Sequence, residues 1–146
     1  MSSIYPAIDP AKGTSTTHVR VRFAETDLMG IVHHSSYLLY FEAGRVEWLR
    51  DRGVVYGDWV DKGNHLPVVE AHLAYKSPAK FDDLLAVETT LVELRAASFN
   101  FAYRVLRGDQ LLVEGSTRLA CIDDKKGVIR IPEYMREVIL SGPIAR

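Results

Sequence analysis

FAETDLMGIVHHSSYLLYFEAGRVEWLRDRG, residues 23–53, is the stretch whose conformation governs the rest of the chain. A short loop with two acids, a glycine and two histidines runs directly into roughly seventeen residues free of proline. Ser35 or Ser36 can cap the free N–H groups of a first helical turn, and Gly53 stands beyond the last one. At about 100° per residue, Leu38, Leu39, Phe41, Ala43, Val46, Trp48 and Leu49 cover far more than the single stripe of a surface helix. The spacing therefore predicts a helix wrapped on most sides. Its N-terminal end, where unpaired N–H groups point outward, adjoins the acid-bearing loop and favours an anion or a polarised carbonyl there.

Working outward, the flanking sequence supplies the wrapping. Residues 18–23 alternate, with Val19, Val21 and Phe23 on one face, and predict a half-buried strand. Residues 1–17 are neither a signal peptide nor part of this pattern and are expected to be a loosely held tail ahead of one domain spanning 18–146. Residues 54–66, with Gly57, Gly63 and Asn64 among charges, suggest an irregular connection. Strands are expected at 68–75, where Val69, Ala71, Leu73 and Tyr75 share a face, at 84–92 through Leu85, Val87, Thr89 and Leu91, and at 98–106 through Phe99, Phe101, Tyr103 and Val105. Lys76-Ser77-Pro78, Asp82-Asp83 and Arg107-Gly108-Asp109-Gln110 punctuate them. A long strand at 111–122 carries Gly115, which signals a bulge or a close approach by another backbone or ligand. A short strand at 128–131 and a helix at 133–140, opened by Pro132, complete the chain. One strand, one apolar helix and a run of antiparallel strands give an α+β class, because only a curved sheet rolled around the helix buries it on so many sides.

Composition excludes several function classes. The 146 residues carry 25% charged side chains and a formal net charge of −1, so neither nucleic acid nor an anionic membrane is an expected partner. No apolar run approaches the ~18 residues of a membrane span. A lone Cys121 excludes an internal disulfide framework, and its expected state is a buried, inert thiol. The expected compartment is the cytoplasm.

The run Phe23, Asp27, Gly30, Ile31, Val32, His34 and Tyr37, continuing into Phe41-Glu42 and Arg45, resembles the 4-hydroxybenzoyl-CoA thioesterase-like family of hotdog-fold acyl-CoA thioesterases. Tyr75, Pro78-Ala79 ahead of Asp82-Asp83, Ser98-Phe99 and Gly115 extend the resemblance across nearly all of residues 18–131. It implies hydrolysis of an acyl-CoA thioester to the free acid and coenzyme A, with no metal and no organic cofactor. It also implies assembly as a homodimer, often a dimer of dimers. By resemblance, Asp27 is the catalytic carboxylate, as nucleophile or as general base, and the backbone N–H of His34 at the helix start binds the carbonyl oxygen. The division of labour is chemically sound, since a thiolate leaves readily and hydrolysis chiefly needs an oxyanion donor and a positioned oxygen. Gly30 lets the loop fold back far enough to bring the two together. Val32, His33, Tyr37, Glu42, Arg95 and Ser98 are the expected substrate-binding positions, Arg95 standing where relatives often carry several basic residues.

Competing interpretations are open for several of these residues. Asp27 in a polar loop is also a common turn residue. His33 and His34 beside Glu25 and Asp27 suggest a metal, but adjacent side chains usually point apart and no third ligand has zinc-site spacing. Glu42 lies on the helix among Leu38, Val46 and Leu49, so its carboxylate is either paired with Arg45 or open to a cavity, where a sister group of hotdog thioesterases keeps its catalytic glutamate. A hydratase would need a histidine five residues after the aspartate, and Val32 stands there. Two alternatives remain: a non-enzymic acyl-CoA-binding protein, which would normally carry a DNA-binding segment, and a thioesterase acting on acyl carrier protein.

Overall fold

The computed structural model describes residues 13–125 and 127–144. In chain order its elements are β1 (Thr14–Arg20), 3-10 turns at Phe23–Glu25 and His34–Ser36, α1 (Tyr37–Arg50), α2 (Tyr56–Asp61), β2 (Asn64–His65), β3 (Val68–Tyr75), β4 (Leu84–Leu94), β5 (Ser98–Arg107), β6 (Gln110–Ala120), β7 (Ile122–Asp123) and α3 (Glu133–Ser141). Five strands form one antiparallel sheet in the order β1-β4-β5-β6-β3, and β2 pairs separately with β7.

Alternation decides which side of the sheet meets α1. Leu85, Val87, Thr89 and Leu91 of β4 and Phe99, Phe101, Tyr103 and Val105 of β5 are all buried, as their period of two requires. Phe41 of α1 stacks on Tyr103 at 4.1 Å, and Trp48 meets Phe101 edge-on at 5.2 Å. Two glycines permit this closeness. A side chain at Gly44 would strike Thr89, and one at Gly115 would lie 2.6 Å from Phe41 Cζ. Gly115 therefore marks the expected close approach by another backbone, that of His72 in β3, and equally one by the Phe41 side chain of the helix. The register irregularities of the ladder fall elsewhere, at Val68/Glu70, Leu91/Glu93 and Val105/Leu106.

Several expectations are corrected. β1 begins at Thr14 and pairs with Thr90, so residues 14–17 belong to the sheet and only 1–12 of the expected tail lie outside the described residues. TSTTH carries no hydrophobic alternation, and the threonines are held by the ladder rather than by burial. The strand also ends at Arg20, which leaves Phe23 77% exposed. Residues 54–66 are not wholly irregular, because α2 forms there around the buried Trp59. Residues 128–131 form no continuous strand: Val128 makes an isolated bridge to Ile122, and the Ile129 and Ile131 N–H groups donate to Cys121 O and Ala96 O. Pro132 occupies the N-cap of α3, one position ahead of the first helical residue. Cys121 is buried, and burial raises its thiol pKa.

α1 is covered on one side only. Tyr37, Tyr40, Phe41, Gly44, Trp48 and Leu49 are buried, whereas Leu38 and Leu39 are 40% and 51% exposed. The curved five-stranded sheet wraps the face of α1 that carries the buried residues and leaves the opposite face to solvent in a single chain. Its edge strand β3 extends beyond α1, so Val69 and Tyr75 are half exposed. Among the described residues, no helix is long and apolar enough to cross a membrane.

Candidate functional site

The loop between the two 3-10 turns is a tight, doubly anchored excursion. Thr26 bridges Val32, Asp27 N–H donates to Ile31 O at 2.9 Å, and Gly30 N–H returns to Asp27 O at 3.0 Å. Gly30 takes φ +77°, a conformation that side chains rarely adopt. Val32 N–H donates to Ala79 O, and Ile31 bridges Lys80, which pins the loop to the segment between β3 and β4. Asp27 Oδ1 accepts the Met29 N–H at 2.8 Å, fixing the carboxylate's orientation. No described residue donates to Oδ2.

The helix entry leaves one donor unused. Ser35 N–H donates to His33 Nδ1 at 3.2 Å and Ser36 N–H to His33 O at 2.9 Å. Neither serine caps the helix. His33, from an extended backbone, caps the 3-10 turn that leads into the helix, and the Ser36 hydroxyl instead donates to Glu25 O at 3.1 Å. The His34 N–H has no acceptor among the described residues. It is the orphan donor that a helix start presents to an incoming oxygen.

Asp27, His34, Val32 and Tyr37 line one cavity of about 340 Å³, together with Met29, Ile31, Tyr75, Lys76, Ser77 and Pro78. Tyr37 packs edge-on against Tyr75 at 5.7 Å, and the Tyr75 hydroxyl donates to His34 O at 2.8 Å. Burial raises the Tyr37 phenol above its ordinary pKa, leaving it a neutral wall. Tyr75, Lys76 and Pro78 appear in the sequence as the end of a strand. Their place in the cavity depends on β3 being the sheet edge beside the loop, which no local pattern specifies.

Other expected positions are not brought to this cavity. Glu42 is exposed, and Arg45 donates to the Tyr103 hydroxyl at 3.3 Å instead of pairing with it. An i,i+3 spacing permits a pair but does not enforce one, and the buried phenol is the better-placed acceptor. Glu42 and Arg45 flank a second cavity of about 320 Å³ walled by Val46, Leu49, Phe99, Phe101 and Leu119. Arg95, ion-paired with Glu93, and Ser98 lie beyond the far end of β4, about 30 Å along the strand from the Asp27 loop.

The histidines and acids around the loop make separate contacts. The two histidine rings do not point apart but lie 4.1 Å from one another, and His33 Nδ1 is engaged with the Ser35 hydroxyl at 2.8 Å. Glu25 is buried and turned toward Arg22 and Tyr40. Burial alone would raise its pKa, but the Arg22 N–H, the Tyr40 hydroxyl and the Arg22 guanidinium outweigh it and hold the carboxyl below its ordinary value. Among the described residues, no three His, Cys, Asp or Glu side chains converge as a metal site would need.

Comparison with known proteins gives a consistent picture. The model of the thioesterase-like superfamily matches residues 21–139. The acyl-CoA thioesterase YbgC of Haemophilus influenzae is 35% identical over 106 residues, covering 72% of this chain and 78% of that protein. The crystal structure of a hypothetical protein of Thermus thermophilus superposes with a TM-score of 0.83 at 43% identity, over 87% of this chain and 97% of that one. That of a DHNA-CoA thioesterase from Staphylococcus aureus superposes with a TM-score of 0.81 at 28% identity, over 85% of each chain.

Proposed function

The chain belongs to the thioesterase-like superfamily, and we propose that it is a hotdog-fold thioester hydrolase that cleaves an acyl-CoA to the free acid and coenzyme A. Asp27 provides the oxygen chemistry. As nucleophile, its free Oδ2 adds to the thioester carbonyl, the C–S bond breaks to release thiolate, and water then hydrolyses the anhydride. As general base, the same oxygen takes a proton from the attacking water. In both routes negative charge develops on the carbonyl oxygen, and the His34 N–H stabilises it as a hydrogen-bond donor placed at the positive end of α1. Neither route requires a metal or an organic cofactor.

The observation that carries this proposal is that His34, whose N–H is unused among the described residues, lines the same cavity as Asp27, at a helix start whose next two N–H groups are already satisfied. Met29, Ile31, Val32, Tyr37, Tyr75 and Pro78 make the cavity wall apolar, as an acyl group requires.

A second copy of the chain completes the assembly. Among the described residues the outer edge of β3 pairs with no strand and carries half-exposed Val69 and Tyr75, and Leu38 and Leu39 stand exposed on α1. We read this as the surface of a homodimer, itself able to pair as a dimer of dimers. In such a dimer Arg95, Ser98 and Glu42 of one copy are available to substrate held by the other, since within one chain they lie away from Asp27.

Asp27→Asn tests the chemistry. The asparagine oxygen can keep the Met29 N–H, so the loop turn survives while the charge is lost, and kcat should fall roughly 10²-fold or more. Binding of acyl-CoA should persist. A panel of acyl-CoA and acyl carrier protein thioesters, read by thiol release, identifies the donor and the acyl group, and wild-type turnover in Asp27→Asn refutes the assignment.

A further inference from the structure

Glu25 is a buried acid just ahead of the Asp27 loop, and hydrolysis as derived above makes no use of it. Its backbone carbonyl accepts two donors from the other side of the loop, the His33 N–H at 2.8 Å and the Ser36 hydroxyl at 3.1 Å. Its side chain reaches a third element. Oε1 accepts the Tyr40 hydroxyl of α1 at 2.8 Å and the Arg22 N–H at 2.8 Å, while Oε2 accepts Arg22 Nε at 3.1 Å. One residue thus ties the loop's entry to its exit, and both to the first turn of α1.

The position of this knot matters for catalysis. Asp27 follows Glu25 by two residues, and His34 follows His33, whose N–H is bound to Glu25 O. The two groups assigned to the carbonyl carbon and the carbonyl oxygen therefore hang from opposite sides of one anchor. We propose that Glu25, held by Tyr40, is a positioning residue that fixes the spacing between the Asp27 carboxylate and the His34 N–H. The proposal rests on the roles given above to Asp27 and His34. The Arg22 side chain is 74% exposed, so its charge is screened by solvent, and the directional constraint on the Glu25 side chain comes chiefly from the Arg22 N–H and the buried Tyr40 hydroxyl.

A group that only holds the fold together would lower the melting temperature without a selective effect on turnover. A positioning group acts through the residue it positions, since displacement of a reacting group by about 1 Å can cost up to ~10²-fold in rate. In steady-state hydrolysis of the best acyl-CoA substrate, Glu25→Gln should lower kcat roughly tenfold or more with KM held within about twofold. Tyr40→Phe, which removes one hydroxyl, should lower kcat in the same direction by roughly threefold. In the Asp27→Asn background both effects should largely disappear, because there is no carboxylate left to position.

Wild-type kcat in Glu25→Gln overturns the proposal, as does an undiminished Glu25→Gln effect in the Asp27→Asn background. Should Glu25→Gln fail to fold, Tyr40→Phe decides: unchanged kcat there is equally fatal. Wild-type turnover in Asp27→Asn instead brings down the functional assignment itself, whereas an inactive Asp27→Asn beside an unimpaired Glu25→Gln removes only the positioning role.

Discussion

Gly115→Ala is a small perturbation at the point where the sheet meets the helix that carries the site. A methyl at this position would lie 2.6 Å from the His72 carbonyl oxygen of β3 and 2.6 Å from Phe41 Cζ. Unstrained contacts lie at about 3.5–4.0 Å, so roughly 1 Å of movement is required. Neither neighbour can move freely. His72 is locked opposite Ser116 in the β3–β6 ladder, and the fully buried Phe41 ring is stacked on Tyr103 at 4.1 Å. Overpacking of this kind costs about 1–3 kcal/mol, and replacing glycine by alanine within a strand returns roughly 0.5–1 kcal/mol. The midpoints of these ranges leave a net loss of about 1 kcal/mol, which corresponds to about 2–4 °C in Tm for a chain of this size. Thermal denaturation measures it directly. Phe41→Leu trims the ring, so Gly115→Ala should cost less in that background, with a coupling of roughly 0.5 kcal/mol or more. Because Phe41 sits in the turn of α1 that follows His34-Ser35-Ser36, kcat should fall along with Tm. A Gly115→Ala protein melting within about 1 °C of the wild type, or losses that simply add, would refute the packing argument.

Acid should expose the Glu25 anchor. Its folded pKa lies below the ordinary 4.5, so its stabilisation is present above that value and is lost as pH falls through the folded pKa. Tm should therefore decline below about pH 4.5, less steeply in Glu25→Gln, and an identical slope in both proteins contradicts the assignment. Some acid dependence persists from Asp83: burial tends to raise its pKa, but the Lys80 N–H and Arg107 hold it low. Glu42→Gln should change stability by no more than about 0.5 kcal/mol, since the carboxylate is exposed and unpaired with Arg45. Loss of turnover in that variant beside normal activity in Asp27→Asn would make the helix carboxylate the catalyst. Sedimentation at micromolar concentration should show at least a dimer, weakened by Val69→Lys on the β3 edge, and a fully active monomer excludes a shared pocket.

The parts of this protein that depend on local periodicity are legible in its residues. The proline-free apolar run of α1, its stop at Gly53 with φ +81°, and the alternation of β4 and β5 all follow from side-chain spacing along one element. So does the loop, because Gly30 and the neighbouring Asp27 bonds are themselves local. What the pattern missed depends on partners distant in sequence. A threonine-rich β1 declares itself only against β4, and Gly115 is intelligible only against His72 and Phe41, the latter seventy-four positions earlier. Glu42 and Glu25 show the same limit for charge. Each acid precedes or follows an arginine by three residues, yet one is exposed without that partner while the other is buried by a tyrosine fifteen residues away. Burial of a carboxylate is decided by whether every lone pair finds a donor, and donors from other elements arrive only when the sheet and helix dock. The same holds for the His34 N–H, which is left free because the fold satisfies its neighbours and not it.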